Sequence, residues 1–535
     1  MSKYRNSEIS TAANRNIDGG GAEKTIGIIT KNFIASKIMV KTSVFFEERK
    51  MNVTLSGYNI DSSIIEELKN RAGWTEDNVT PETLSAAYAR ISRDPADIGE
   101  LRKISRTEVA KSRKSNETII FGLGHSSVAE HAVFNFDITG ISRLATEEIQ
   151  KFRLASFTEK SQRYITLDGD FIMPEEIKNS PFAERFSQVI KMQNDAYFTL
   201  FEALKEDLLA KNADKIKTKR DQIDLETKAK EDARYIVALA TKSQFGMTVN
   251  ARSLENMLRQ FNSSNLAEVR ELSAKLFEKV KSLAPSLIKY VEPTKHEAAK
   301  KSALVQAGLA VKDSTNGNNC DFSTVSYSKE ADTELVAALL YAYSNKNFES
   351  CLNHARNMSF EAKETLIKQA LASKESFEKV DRAFETVDYT FELIVSATNY
   401  AQLKRHRMTT QLVQDYDPML GCTLPESIKA IGKEAFFNET ISKINDFYYD
   451  FAKTFPCSRN YILSNAHRRR VLLKINAREL YHFISLRDDE HAQWDIRNSA
   501  KEAENFVKSV HPLTAMLLCG KSSYREHFSK IFPEK

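Results

Sequence analysis

Cysteine is scarce in this sequence of 535 residues, and long apolar runs are absent. The five cysteines are widely spaced, odd in number and form no Cys-x-x-Cys pair, which excludes a disulfide framework and a zinc ribbon and is typical of a reducing compartment. No run reaches the roughly 18 apolar residues that a membrane-spanning helix needs. We therefore expect a cytoplasmic protein that does not contact a membrane.

An excess of charge of either sign is also lacking. Lysine and arginine total 77 against 72 aspartate and glutamate residues, so the formal net charge is +5. A dedicated nucleic-acid-binding protein usually carries a basic face or tail, and this balance predicts no nucleic-acid partner. An anionic small molecule would have to be held by a few placed arginine side chains.

Composition along the chain predicts a domain division. A chain of this length is long enough for two to four domains. Residues 1–50 contain the glycine-rich stretch NRNIDGGGAEK, which predicts a flexible N-terminal extension. Residues 293–330, with KDSTNGNNC, have the composition of a linker. The remaining segments, 51–292 and 331–535, are predicted to be two domains.

The two predicted domains resemble each other in sequence. Alternating apolar and polar residues predict a strand over 131–140, and apolar residues three to four apart predict a helix over 271–290. Three pairs of segments match in the same order along the chain, which indicates a tandem duplication of one α+β unit. The pairs are 86–92 with 339–344, 134–156 with 389–410, and VNARSLENML (249–258) with INARELYHFI (475–484).

The first repeat contains half of a predicted anion site. In KFRLASFTEKSQRY (151–164), Ser161 and Arg163 offer the O–H and N–H donors and the charge that a phosphate needs. The basic cluster expected beside them is damaged, because Phe152 separates Lys151 from Arg153.

The second repeat contains the complementary half. Arg405, His406 and Arg407 form a basic cluster, and Gln402 precedes Arg405 by three residues, which places both on one helix face. Asp415 stands where the first repeat has Ser161, and its charge would repel a phosphate. Each repeat therefore retains what the other has lost.

Two longer stretches carry a resemblance to a known family. The run GHSSVAEHAVFNFDITGISRLATEEIQKFRLASFTEKSQRY (124–164) and the segment NARELYHFISLRDDEHAQWDIR (476–497) resemble the flavin-dependent thymidylate synthases. The family signature is Arg-His-Arg, seven intervening residues and Ser. Neither repeat has the complete signature. The resemblance covers roughly residues 51–292 and 330–520.

The resemblance implies an activity and a fold. Members carry out the FAD-dependent reductive methylation of dUMP to dTMP, with methylenetetrahydrofolate and NADPH as co-substrates. Their fold is a small mixed or antiparallel sheet with long helices, so this chain is expected to contain two tandem α+β copies. Members are homotetramers with sites between subunits, and a chain with two repeats is therefore expected to form a homodimer.

The resemblance also implies one composite dUMP site, with Ser161, Arg405 and Arg487 as catalytic residues. Its reciprocal counterpart, where Lys151 and Phe261 face Val413 and Asp415, is expected to be inactive on dUMP. The dUMP-binding residues would be Glu159, Ser161, Arg163 and Arg234 from the first repeat and Gln402, Arg405 and Arg487 from the second.

Residues of both repeats are implied in FAD binding. No metal site is expected, because His125 and His131 lack the i, i+4 spacing of a helical ligand pair. Asn250 and Asn476 have a structural alternative as helix caps. The implied FAD residues are Ser92, His125, Ser127, Glu130, Asn250, Arg252 and Asn256 of the first repeat and His406, Arg407, Asn476, Arg478 and His491 of the second.

Two other functions remain open from the sequence. The broken signature fits a non-catalytic relative that binds a flavin or nucleotide in a regulatory or structural role. A weaker alternative is a methyltransferase that acts on another uracil-containing substrate.

Overall fold

A computed structural model describes residues 50–61, 64, 80–90, 94, 96–163, 167, 169–312 and 320–533. The predicted extension, apart from Lys50, lies outside the described residues, and so does Ser92. Among the described helices, none combines the length and the apolar character needed to cross a membrane.

The first repeat contains a four-stranded antiparallel sheet and mostly helical connections. The strands follow the order β1-β2-β4-β3. In chain order the elements are β1 (Asn52–Tyr58), α1 (Glu82–Arg90), α2 (Ile98–Thr107), α3 (Val109–Glu117), β2 (Val133–Ser142), α4 (Arg143–Gln150), β3 (Ala155–Glu159), α5 (Glu175–Lys178), α6 (Ala183–Lys211), α7 (Lys219–Ala233), β4 (Lys242–Asn250), α8 (Ala251–Asn262) and α9 (Ala267–Val280).

The second repeat has the same sheet order, β5-β6-β8-β7, again antiparallel. It follows helix α10 (Lys295–Leu309), which has no buried side chain. Its elements are β5 (Phe322–Tyr327), α11 (Ala331–Ala342), α12 (Phe348–Asn357), α13 (Phe360–Leu371), β6 (Asp388–Ser396), α14 (Ala397–Leu403), β7 (Thr410–Tyr416), α15 (Glu426–Ala430), α16 (Glu434–Thr454), β8 (Arg468–Asn476), α17 (Ala477–Arg487), α18 (Trp494–Val510) and α19 (Tyr524–Ile531).

The matched strand order confirms the tandem α+β fold. The register is also shared, since Phe134 pairs with Val249 in one sheet and Tyr389 pairs with Ile475 in the other. Strand β2 has one residue more than β6, and the register shifts around Gly140, whose φ of 70° suits glycine. An inserted residue is therefore absorbed as a bulge, and both strands end at a serine that caps the next helix.

The proposed domain division needs a different second boundary. Strand β5 lies inside 293–330, the segment predicted to be a linker, and pairs with β6 in the second sheet. The strand sequence FSTVSY contains serine and threonine and follows a polar stretch, so its composition did not distinguish it from a linker. We propose that the second domain starts before Phe322 and not at residue 331.

A third apolar core joins the two repeats. Besides the core of each repeat, a separate cluster packs α6 against α16, with Phe186 near Phe447 and Phe451. Backbone bonds cross this interface in reciprocal pairs. The N–H groups of Leu239, Asn465, Ala240 and Ala466 donate, in that order, to the carbonyl oxygens of Leu463, Val237, Tyr461 and Tyr235. The repeats therefore meet like the two subunits of a twofold-symmetric dimer.

Candidate functional site

A polar cleft lies where the two repeats face each other. All seven residues predicted to hold the nucleotide line it. Its volume is about 320 Å³, within the usual range for small-molecule sites. The lining residues are Arg143, Glu159, Lys160, Ser161, Gln162, Arg163 and Arg234 from the first repeat and Thr398, Ala401, Gln402, Arg405, Asn465 and Arg487 from the second.

The first repeat supplies its residues from the end of β3 and from the end of α7. Glu159 is the last residue of β3, and the chain then turns so that the Ser161 Oγ accepts a bond from the Arg163 N–H at 3.2 Å. Arg234 follows α7 in a short 3-10 turn, and its Nε–H donates to the Glu231 carbonyl at 3.2 Å. Both segments are short and bonded to their own backbone, which limits their movement.

The second repeat supplies its residues from two helix ends. Gln402 lies in the last turn of α14, and Arg487 is the last residue of α17. The Arg487 guanidinium donates to Gln402 twice, at 2.9 Å to Oε1 and at 3.3 Å to the carbonyl oxygen. A cation at a helix C-terminus is favoured by the helix dipole.

Side chains also bond across the cleft from one repeat to the other. The Arg405 Nη2 donates to the Glu159 Oε2 at 3.3 Å, and the Asn465 Nδ2 donates to the Gln162 Oε1 at 3.2 Å. The Arg405–Glu159 and Asn465–Gln162 bonds fix the two halves of the cleft against each other. Within the first repeat, the Arg163 Nη2 pairs with Glu231 at 3.1 Å.

Positive charge exceeds negative charge in the cleft. Among the described residues that line it, five arginines and one lysine accompany a single carboxylate, that of Glu159. Burial, with Arg405 and Arg163 nearby, lowers the pKa of Arg487 to about 10. Burial also lowers the pKa values of Arg234 and Arg405. A bound anion would relieve this repulsion, so the cleft is built to hold one.

Glu159 stays ionised in spite of its burial. Burial alone raises the pKa of its carboxyl, but the positive charges of Arg143, Lys404 and Arg405 outweigh that effect and lower it overall. The carboxylate also accepts bonds from the Thr146 and Ser243 hydroxyls. Glu159 therefore serves as the fixed negative partner of the surrounding cations.

A second cavity, of about 650 Å³, adjoins the cleft. His406 connects them, because it lines this cavity and its Nε2 accepts a bond from the Arg487 Nε–H at 3.0 Å. Its described lining holds four basic groups and no carboxylate. The lining residues are Lys151, Phe152, Arg153, Leu154, Ser253, Asn256, Met257 and Gln260 from the first repeat and Tyr400, Lys404, His406, Arg407, Thr409, Gln411, Leu412 and Val413 from the second.

The structure gathers three of the twelve residues implied in FAD binding in that cavity, namely Asn256, His406 and Arg407. The other described ones line neither cavity. Arg252 pairs with Glu130, and Arg478 pairs with Glu385 at 2.8 Å in the second repeat.

The remaining residues of that set are caps or surface groups. Asn250 and Asn476 cap α8 and α17 through their side-chain oxygens, as in the structural alternative. His125, Ser127 and His491 are exposed, although the His491 carbonyl lies 3.5 Å from the Arg163 Nη2.

In the reciprocal cleft, several side chains contact one another. Phe261, at the position of Arg487, packs edge-on against Phe152 with ring centroids 5.4 Å apart. The Tyr416 hydroxyl donates to the Glu147 Oε2 at 2.8 Å.

Salt bridges add to these contacts. The same Glu147 oxygen lies 3.1 Å from the Arg469 Nη1. Asp415 is engaged by the Arg459 Nη2 at 3.1 Å. Several side chains of the reciprocal cleft therefore contact one another, while Lys151, Phe152 and Val413 of the same cleft line the 650 Å³ cavity.

Sequence reasoning missed the buried cations Arg143 and Lys404. Arg143 reaches Glu147 at 3.5 Å and Glu159 at 3.6 Å, and Lys404, 4% exposed, donates to the Thr146 carbonyl at 3.4 Å. Their equivalents in the other repeat are Ala397 and Gln150. A charge that appears at an aligned position in only one of the two repeats is the signal that could have identified both.

Comparison with known proteins yields matches over both repeats. The model of the family described as thymidylate synthase complementing protein matches residues 76–286 and 323–513. A UPF0159 protein from Chlamydia pneumoniae is 23% identical over 76% of this chain and 80% of its own length. A flavin-dependent thymidylate synthase from Clostridium tetani is 31% identical over 40% of this chain and 83% of its own length.

Solved structures also match. Thymidylate synthase X from Helicobacter pylori, described as a complex with FAD and dUMP, is similar to 44% of this chain over 99% of its own length, with 23% identity and a TM-score of 0.27.

Proposed function

Because the chain belongs to the flavin-dependent thymidylate synthase family, we propose that it methylates dUMP to dTMP at the cleft between its two repeats. The reaction would be reductive and FAD-dependent, with methylenetetrahydrofolate as the carbon donor and NADPH as the reductant. One observation carries the proposal. The seven residues implied in nucleotide binding come from two incomplete repeats, yet they line one cleft.

The nucleotide is proposed to bind as a dianion among the arginines. Ser161, Arg163 and Arg234 offer hydroxyl and guanidinium donors for the phosphate. Gln402 and Arg487, already bonded to each other, hold the pyrimidine. Arg487 is the group best placed to stabilise negative charge that develops on the ring during methylation, since its position is held by three hydrogen bonds.

The adjoining cavity fits the demands of a flavin dinucleotide. Its volume falls within the range of cofactor sites, Arg153, Lys404 and Arg407 suit a diphosphate, and Phe152 and Met257 offer apolar contact. The flavin supplies the hydride chemistry when it is bound. His406 lines the flavin cavity and bonds Arg487 of the nucleotide cleft, so it would lie beside both ligands.

A homodimer is part of the proposal. His125, Ser127 and Glu130 are exposed and lie outside the cavity that holds Asn256 and His406. A second copy of the chain would bring such a surface to the flavin site. Since Phe261 and Asp415 stand where the other cleft has Arg487 and Ser161, each chain is proposed to bind one dUMP.

The test is turnover by the purified chain supplied with dUMP, FAD, methylenetetrahydrofolate and NADPH. We expect dTMP, detected by chromatography, and growth of a thymidine-requiring strain that expresses the protein. Arg163→Ala should abolish both. A protein that binds flavin and dUMP but forms no dTMP would contradict the proposal and support the non-catalytic alternative that the incomplete signatures favour.

A further inference from the structure

A buried carboxylate lies behind the nucleotide cleft, on the far side of His406. The Glu479 Oε1 is 3.3 Å from the His406 Nδ1, and the Arg487 Nε is 3.0 Å from the His406 Nε2. The three side chains therefore form a chain from the protein interior to the cleft. Both Glu479 and His406 are almost completely buried.

The contacts determine which ring nitrogen carries the proton. A guanidinium can only donate, so the His406 Nε2 must accept from Arg487 and has no hydrogen. The hydrogen of the neutral ring is then on Nδ1, where it is donated to Glu479. Burial and the charge of Arg487 lower the pKa of His406 to about 3, which keeps the ring neutral.

The other repeat has lost all three members together. Phe152 replaces His406 and Phe261 replaces Arg487, and these two rings pack on each other. Ser253 replaces Glu479, and the two residues occupy equivalent positions in the first turn of a capped helix. The backbone N–H of Ser253 donates to the Asn250 side chain, and that of Glu479 donates to the Asn476 side chain. A carboxylate is thus present only in the repeat that also has the imidazole and the guanidinium.

We propose that Glu479 is a positioning residue for Arg487, acting through the tautomer of His406. The carboxylate holds the ring in the one tautomer and orientation in which Nε2 can accept from Arg487, and the guanidinium is thereby held in the cleft. The inference rests on the proposed function of that cleft as a nucleotide site.

The same cluster could suggest a metal ion, because His482 adds a third possible ligand. Two cations oppose that interpretation. The Lys379 Nζ lies 3.3 Å from the His482 Nδ1, and Arg487 already occupies the His406 Nε2. Burial raises the pKa of Glu479 overall, although His482, Lys379 and Arg478 act to lower it. The contacts of Lys379 and Arg487 with the two imidazoles leave the hydrogen bond from His406 as the role that the geometry gives to Glu479.

The test compares Glu479→Ser, which installs the residue of the other repeat, with Glu479→Gln. Calorimetry measures dUMP affinity, and ¹⁵N NMR of labelled histidine reads the tautomer of His406. We expect Glu479→Ser to weaken dUMP binding and to lower kcat/KM by about 10- to 100-fold, as displaced positioning groups do. Glu479→Gln should restore most of both, because its amide oxygen still accepts from Nδ1–H.

A buried carboxylate elsewhere is the matched control. Glu82 accepts bonds from Ser286 and Arg113 within the first repeat, far along the chain from this cluster. Glu82→Gln should lower the unfolding temperature and leave dUMP affinity unchanged. The inference is overturned if Glu479→Ser binds dUMP like the wild type, if Glu479→Gln is no better than Glu479→Ser, or if the wild-type His406 carries its proton on Nε2.

The outcomes for the cleft and for the positioning residue are separable. A wild type that binds dUMP without forming dTMP contradicts the proposed synthase and leaves the affinity comparison intact. A wild type that binds no dUMP contradicts the nucleotide site itself, and the tautomer measurement on His406 still tests the contact with Glu479.

Discussion

Replacing Arg405 by alanine tests whether the cleft is truly shared between the repeats. Arg405 directly follows Lys404 after the end of α14 and is held by two bonds. Its Nε–H donates to the Ala401 carbonyl at 3.2 Å, and its Nη2 donates to the Glu159 Oε2 at 3.3 Å. Its guanidinium is 44% exposed, so alanine there leaves no cavity and the fold should persist.

The expected loss of dUMP affinity follows from the charges. A hydrogen bond to a charged group contributes about 1.5–3 kcal/mol, and Arg405 is one of three cations that balance the buried Glu159 carboxylate. Because the Arg405 side chain is 44% exposed, solvent screens this contact and keeps the cost within that range. This corresponds to a dissociation constant raised by roughly 10- to 150-fold.

Lys151→Ala is the matched control, because Lys151 is the equivalent residue of the first repeat and is exposed. Calorimetric titration of dUMP without flavin should show one site per chain in the wild type and in this variant, with affinities within about twofold. The composite cleft would be refuted if Arg405→Ala bound dUMP normally, or if Lys151→Ala were the damaging substitution.

Two further predictions concern stability near the cleft. Burial lowers the pKa of Lys404 to about 7 from its ordinary 10.5. Between pH 7 and pH 10.5 the unfolded chain therefore binds a proton at this amine that the folded chain does not bind. The free energy of unfolding should rise with pH over that range. Lys404→Met should therefore stabilise the protein at pH 7, by roughly 5 kcal/mol at most. Scanning calorimetry should show that this gain in stability shrinks as the pH approaches 10.5 or rises above it, because the wild type itself becomes more stable. A gain that did not change with pH would contradict the lowered pKa of Lys404. Gly520→Ala would place a Cβ atom 2.1 Å from the carbonyl oxygen of Asp488, so it should lower the free energy of unfolding by about 1–3 kcal/mol. Because Asp488 directly follows Arg487, the clash should also displace Arg487 and weaken dUMP binding. Gly308→Ala, which meets no atom within 4 Å, is the control, and equal melting temperatures for the two variants would argue against the clash.

Local pattern was enough to predict the repeated α+β unit, and the family resemblance supplied the seven residues that line the cleft. Alternation predicted the central strand that the structure places at Val133–Ser142, and the paired NAR segments both begin helices capped by asparagine. The complementary losses, with Phe261 and Asn460 standing where Arg487 and Arg234 are retained, predicted that the halves meet. Such substitutions are visible in sequence because they change charge at aligned positions.

The buried ionic contacts required the folded chain. Glu147 and Arg469 are distant in sequence, and only the packing of the repeats brings them within salt-bridge distance. The placement of the residues implied in flavin binding was also beyond the sequence, since Arg252 pairs with Glu130 while Asn256, one helical turn later, lines the cavity. The direction of a side chain depends on the elements packed around it.

The order of residues along this chain determined its duplicated fold, its family and the chemical groups available to the cleft between the repeats, because these depend on local periodicity and on residue type. Tertiary structure alone decided which side chains of the two symmetry-related clefts contact one another. That outcome depends on distances between groups more than 100 residues apart, such as the Tyr416 hydroxyl and Glu147. It depends as well on burial, which sets the charge of His406 and Lys404.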